Sequence, residues 1–155
     1  MKATKAIPKN NTKKGDLLTR LHELQEANTD GAHLAGSQMR KLARELDMPI
    51  AELDGIASFY RLLSRRPRGQ HVIRLCDSLT CRIKDSLDIY YHLHKRLGIS
   101  KNETTPDGTF SLEIVNCLGC CDTAPNMMID DRLYRSLTVE RVDEILDEIE
   151  KEASK

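Results

Sequence analysis

Apolar residues recur along this chain with two different periods, and the change falls near residue 70. Leu17, Leu18, Leu21 and Leu24 follow the three-to-four-residue spacing of one helix face, and the Asn28-Thr-Asp-Gly31 cluster ends that segment. Ser37 is placed to cap a second helix that buries Met39, Leu42, Ala43 and Leu46. Pro49 suits the opening of a third, with Ile50, Leu53, Ile56 and Ala57 inward and Phe59 and Tyr60 near its end. These periods predict a three-helix unit over residues 15–63, too small to hold much core alone.

Residues 64–70 form a connector, because Pro67 and Gly69 interrupt helix propagation. Strand-like alternation then begins. His71-Val-Ile-Arg-Leu75 predicts one strand, and Phe110-Ser-Leu-Glu-Ile-Val115 a second with Phe110, Leu112 and Ile114 on one face. Between them Ile83, Leu87, Tyr90, Tyr91, His94 and Leu97 trace one amphipathic helix that Gly98 stops. Thr105-Pro-Asp-Gly108 signals a turn. Met127-Met-Ile129 and Leu133-Tyr134 read as two strands joined across Asp130-Asp131. Val139, Val142, Ile145, Leu146 and Ile149 predict a closing helix. A β-α-β-β-β-α order over residues 71–155 places the chain among α/β folds, with a small helical bundle ahead of the sheet domain.

Composition changes this picture in three ways. The 155 residues hold 24 Lys+Arg against 24 Asp+Glu. That balance argues against a dedicated nucleic-acid binder, which shows an excess of Lys and Arg. It also conceals asymmetry: Lys2, Lys5, Lys9, Lys13 and Lys14 make residues 1–14 a flexible basic tail, and the closing helix is acidic. Arg61, Arg65, Arg66, Arg68 and Arg74 form a basic band, read either as solubilising surface or as a docking edge. No apolar run approaches the roughly 20 residues a membrane span needs, and no apolar signal core follows Met1. A compartment with reduced thiols is expected, where five cysteines point to metal or redox chemistry.

The cysteines fall in two loops, each following a strand: Cys76-Asp-Ser-Leu-Thr-Cys81 and Cys117-Leu-Gly-Cys-Cys121. Chain leaving a strand has free N–H groups, and such donors stabilise metal-bound thiolates. Spacing leaves two ligand choices open in the second loop, Cys117 with Cys120 or Cys117 with Cys121. It also leaves open zinc, which favours regular short spacings, and an iron–sulfur cluster, which tolerates wider ones. Met127 and Met128 read as strand core; His92 and His94 fall on different helix faces; His71 is a weak metal candidate. There is no Gly-rich phosphate loop and no nucleophile–base pair. Cys117-Leu-Gly-Cys120 has dithiol-oxidoreductase spacing, but that reading leaves three cysteines unexplained.

From Gly55 onward the sequence resembles the thioredoxin-like 2Fe–2S subunit of NADH-quinone oxidoreductases, the respiratory complex I family. The matching segments are Gly-Ile-Ala-Ser-Phe-Tyr (55–60), His-Val-Ile-Arg-Leu-Cys-Asp-Ser (71–78), Cys81, Thr-Thr-Pro-Asp-Gly-Thr-Phe (104–110) and Cys-Leu-Gly-Cys-Cys-Asp-Thr-Ala-Pro-Asn-Met-Met-Ile-Asp (117–130). The helical unit resembles the family's N-terminal extension. The resemblance implies an α/β, thioredoxin-like 2Fe–2S ferredoxin domain over residues 71–155. It implies one 2Fe–2S cluster on Cys76, Cys81, Cys117 and Cys121, with Cys120 a fifth thiol packed beside it; ligand swapping between Cys120 and Cys121 is the competing reading. It implies a one-electron carrier with no complete active site on this chain. FMN and NADH would sit on a flavoprotein partner subunit, further iron–sulfur subunits would complete the assembly, and the chain would neither bind nucleic acid nor insert directly into the membrane. The place implied is cytoplasmic, in the peripheral arm of an inner-membrane complex. An NAD-linked formate dehydrogenase or hydrogenase has a similar small subunit and is the first alternative; a zinc-stabilised interaction module is the second.

Overall fold

The computed structural model describes residues 16–29 and 31–153; the expected basic tail lies outside them. The chain divides into two compact units between Pro67 and Arg68.

The first unit holds three ten-residue helices, α1 (Leu17–Glu26), α2 (Gly36–Glu45) and α3 (Ile50–Phe59). Leu17, Leu21, Met39, Leu42, Ala43, Leu46, Leu53 and Ala57 form one buried cluster, as their spacing predicts. Two expectations fail at the helix starts. Ser37 lies inside the first turn of α2, whose N-cap is Ala35; the Gln38 side chain accepts from the Ala35 N–H at 3.2 Å and supplies the cap. Ile50 is 43% exposed, because the inward stripe of α3 runs through Leu53 and Ala57. Buried Gln25 closes the unit, donating to the Leu62 carbonyl and accepting from the Ser64 N–H.

The second unit is a five-stranded mixed sheet with the order β2-β3-β1-β4-β5. Its strands are β1 (His71–Cys76), β2 (Glu103–Thr104), β3 (Phe110–Val115), β4 (Met127–Ile129) and β5 (Arg132–Tyr134). β1 pairs with β3 in parallel, His71 opposite Phe110 through Cys76 opposite Val115, and every other pairing is antiparallel. The two-residue edge strand β2 escapes sequence reading because it is too short to show alternation.

The helix expected over Ile83–Leu97 is two helices, α4 (Leu79–Ile83) and α5 (Ser86–Leu97). Asp85 breaks it in the left-handed region at φ 64°, a conformation aspartate tolerates better than most residues. The break resets the helical frame. Ile89 and Leu93 turn into the core, while Ile83, Leu87 and Tyr91 are exposed. The closing helix α6 (Val139–Ala153) and α5 pack Val142, Ile145, Leu146, Ile89 and Leu93 into one cluster with Ile73, Leu75, Leu112 and Met127. Because side chains alternate along a strand, Val72, Arg74 and Cys76 occupy the other face of β1. The result is an α/β fold built on one mixed five-stranded sheet.

Candidate metal centre

The parallel pairing brings the C-terminal ends of β1 and β3 side by side, so both cysteine loops leave the sheet at one edge. Cys76 is the last residue of β1 and its N–H donates to the Asn126 carbonyl at 3.1 Å. The Asp77 N–H donates to the Val115 carbonyl at 2.9 Å, so the chain stays anchored to β3 while it turns. Ser78 occupies the N-cap position of α4, which carries Cys81, without a side-chain capping bond; an Arg82–Asp77 ion pair at 2.8 Å ties the ends of this loop together. Cys76 and Cys81 are both buried, and the Cys76 thiol acts on Cys81 strongly enough to help raise its pKa.

Beyond β3, the second loop turns at Gly119, where φ is +86° and a side chain would be strained. That turn aims the Gly119 N–H at Cys117 Sγ, 3.3 Å away. Cys121 opens a single 3-10 turn, Cys121–Thr123, and its Sγ lies 3.2 Å from that of Cys117. Cys117 and Cys121 are exposed, whereas Cys120 is half-buried with its Sγ 3.9 Å from the Leu118 carbonyl of its own loop.

The loops meet through polar contacts. Thr80, between the first two cysteines, acts to lower the pKa of the Cys121 thiol, as the Asn126 main chain does for Cys81, and the Cys76 N–H donates to the Asn126 carbonyl. Cys76 interacts electrostatically with both Cys81 and Cys121. Burial and the Cys76 thiol push the Cys81 thiol up to about 11. The Gly119 N–H and the Cys121 thiol draw Cys117 below its ordinary value, and that same contact raises Cys121. The four thiols fall into two pairs, one buried and one exposed. Among the described residues, no three His, Cys, Asp or Glu side chains are arranged to hold one metal ion. A soft four-thiolate set in two pairs suits a cluster with two irons, since each iron needs two protein sulfurs.

Other residues singled out from the sequence have structural partners. His71 Nδ1 lies 2.8 Å from Asp130 Oδ2, at the far end of β1 from the cysteines. His92 pairs with Asp143 at 2.7 Å, and His94 Nδ1 lies 2.8 Å from the Ile99 carbonyl. Met127 is core. The arginine band dissolves as a single surface. Arg68 and Arg74 are buried and share Glu113, at 2.8 and 3.2 Å, because Arg74 and Glu113 are register partners on the face of the sheet opposite the main core. Arg65 pairs with Asp54. Arg68 and Gly69, expected in the connector, belong to the sheet domain: the Gly69 N–H donates to the Ser111 hydroxyl at 2.7 Å. Sequence reasoning missed Thr80 and Asn126; single polar residues carry no spacing signal, and the only pointer to them was their position inside or beside the cysteine loops.

A sheet domain with four thiols at one edge defines a class of small iron–sulfur proteins. Residues 3–150 match the thioredoxin-like [2Fe-2S] ferredoxin family, and the chain belongs to it. It is 43% identical over 106 residues to the E subunit of NADH-quinone oxidoreductase from Escherichia coli strain K12, covering 68% of this chain and 64% of that one. It is 36% identical over 124 residues to an E-type NADH-quinone oxidoreductase subunit of Rhizobium meliloti strain 1021, covering 80% and 74%. The chain therefore spans a little under two thirds of the length of the Escherichia coli relative. Among solved structures, an NAD+-reducing [NiFe]-hydrogenase in the air-oxidized state matches with a TM-score of 0.75 at 21% identity. The match covers 94% of this chain and 24% of that one, and the likeness is one of fold.

Proposed function

We propose that this chain is the iron–sulfur electron-transfer subunit of an NADH-quinone oxidoreductase, holding one 2Fe–2S cluster on Cys76, Cys81, Cys117 and Cys121. The observation that carries the reading is the gathering of these four thiols into two pairs at one sheet edge, with Cys120 turned toward its own loop. When bound, such a cluster supplies one-electron transfer. The chain's own residues prepare for it. The Gly119 N–H points at Cys117 and the Asn126 main chain acts on Cys81, where they would stabilise thiolate charge. Burial of Cys76 and Cys81 shields that side from water, and the exposed Cys117 and Cys121 leave the other side open to an electron partner. Loading requires Cys81 to give up the proton that burial makes it hold.

A hydride carries two electrons, so a one-electron centre needs a flavin to divide them. The sequence has no dinucleotide-binding glycine motif, and FMN and NADH are assigned to a flavoprotein partner subunit. Exposed Leu79 and Ile83 flank Cys81, and apolar residues beside a redox centre suit the core of a subunit interface. Residues 15–63 would make a docking contact of their own with the partner, and further iron–sulfur subunits would complete the electron route. No helix among the described residues is long and apolar enough to cross a membrane. The assigned place is the cytoplasmic peripheral arm of an inner-membrane complex.

Anaerobically purified protein should contain equimolar iron and acid-labile sulfide, with a paramagnetic signal after one-electron reduction; one tightly bound zinc per chain would overturn the reading. Removal of residues 1–63 should leave a cluster-bearing domain that no longer co-purifies with the flavoprotein, and unimpaired assembly would refute the docking role.

A further inference from the structure

Asn126 is a polar residue only 1% exposed, placed between cis Pro125 and the core strand residue Met127. Burying an amide side chain is costly unless its donors and acceptors are used, and here they are turned toward the cysteine loops. Its Nδ2 donates to the Cys120 carbonyl, and its Oδ1 lies 3.3 Å from the Thr123 hydroxyl. Those two partners bracket the 3-10 turn that begins at Cys121. The same turn is closed by the Thr123 N–H on the Cys120 carbonyl at 3.2 Å. The main chain of Asn126 reaches the other loop, where its carbonyl accepts from the Cys76 N–H at 3.1 Å.

We propose that Asn126 is the positioning residue of the thiol site, its side chain fixing the turn that presents Cys121 while its main chain holds the strand end that presents Cys76. One residue thereby sets the separation between the two pairs. Without the amide, the turn keeps the Thr123 N–H and hydroxyl on the Cys120 carbonyl, the Ser136 N–H and hydroxyl on the Thr123 carbonyl, and the contact between the Cys121 and Cys117 thiols, but loses its tie to the buried start of β4. Cys121 itself is exposed. The main-chain bond of residue 126 does not depend on its side chain, so substitution should loosen the Cys121 side and leave Cys76 seated.

This inference rests on the cluster reading above, so its test has one arm that needs the cluster and one that does not. In the apo full-length chain, Asn126→Ala should raise amide hydrogen exchange at Cys121–Thr123 and leave Cys76 protected by its bond to residue 126. In the loaded full-length chain, Asn126→Ala should release iron to a chelator about 10–100-fold faster, the range seen when a residue that orients a metal ligand is lost. The paramagnetic signature should shift as well. Asn126→Asp keeps the shape but lacks the donor to Cys120 and should behave alike, while Thr123→Val should act in the same direction more weakly. Ile145→Val, which trims the core on α6, controls for general loss of stability and should leave both readouts at wild-type values. Wild-type exchange at Cys121–Thr123 in both Asn126 variants would overturn the positioning role. So would iron release that tracks melting temperature equally across Asn126 and Ile145 variants. Wild-type protein without iron and sulfide would instead overturn the cluster reading and leave the exchange arm to decide the role of Asn126.

Discussion

The two ends of the parallel pair β1–β3 are built from the same strands and are chemically opposite. At the His71–Phe110 end, polar groups satisfy one another. Asp107 accepts from the hydroxyls of Thr105 and Thr109 and from the Thr109 N–H, Asp130 holds His71 and the Val72 N–H, and the Gln70 and His71 N–H groups donate to carbonyls of Gly108 and Thr109. Packing there is so close that a Cβ on Gly69 would meet backbone atoms of residues 108–110 at 2.9 Å. At the Cys76–Val115 end, the groups brought together are four thiols, weak hydrogen-bonding partners for each other and strong ligands once deprotonated. One end is finished by folding. The other is organised by folding and, under the proposed ligand set, is completed by a bound group.

Substitutions at the two ends should therefore separate folding from loading. The largest effect on loading is expected for Cys81→Ser, which keeps the size of a buried side chain but replaces the thiol. The variant should fold, by circular dichroism, and retain no iron–sulfide chromophore; a stable chromophore of wild-type intensity would contradict the assignment of Cys81.

Between the two ends, Glu113→Ala should have the reverse signature. It removes the carboxylate shared by two buried guanidiniums, and breaking a buried ion pair costs about 3–5 kcal/mol. Burial already lowers the Arg68 pKa, with Glu113 opposing that shift, so the variant leaves the burial uncompensated by this carboxylate. Denaturant unfolding should record the loss, while iron per folded molecule stays unchanged.

The smallest effect belongs to the finished end. The hydroxyls of Thr105 and Thr109 and the Thr109 N–H hold the Asp107 carboxyl down to about 2 from an ordinary 3.8. A depressed carboxylate adds stability that is present above its unfolded value and is lost as the pH falls through its folded value. Wild-type protein should accordingly lose a small increment of stability between about pH 4 and pH 2, and Asp107→Asn should lose that increment's pH dependence. An identical acid profile in both proteins would show that the turn is not held by the ionised carboxylate.

The same division governs what could be read from the sequence. α6 is legible because its buried residues repeat with the helical period, and β1 and β3 because they are short apolar runs bounded by turn residues, though burial along both strands is nearly continuous. The split between α4 and α5 is not legible, since one left-handed Asp85 shifts the frame without breaking the apolar run. Arg68 and Arg74 looked like surface because charge patterning says nothing about a partner 39 or 45 residues away, and Glu113 becomes that partner only through the β1–β3 register. The thiols announced themselves by number and spacing, but spacing left Cys120 and Cys121 equivalent. Asn126 was invisible, because its significance lies in partners drawn from two loops.

Everything proposed for the thiol site turns on Cys121, not Cys120, completing the set. Iron content and the reduced-state paramagnetic signal of Cys120→Ala and Cys121→Ala, purified in parallel under anaerobic conditions, test it directly. Wild-type iron and signal are expected in Cys120→Ala, and loss of both in Cys121→Ala. Retention in Cys121→Ala with loss in Cys120→Ala would contradict it.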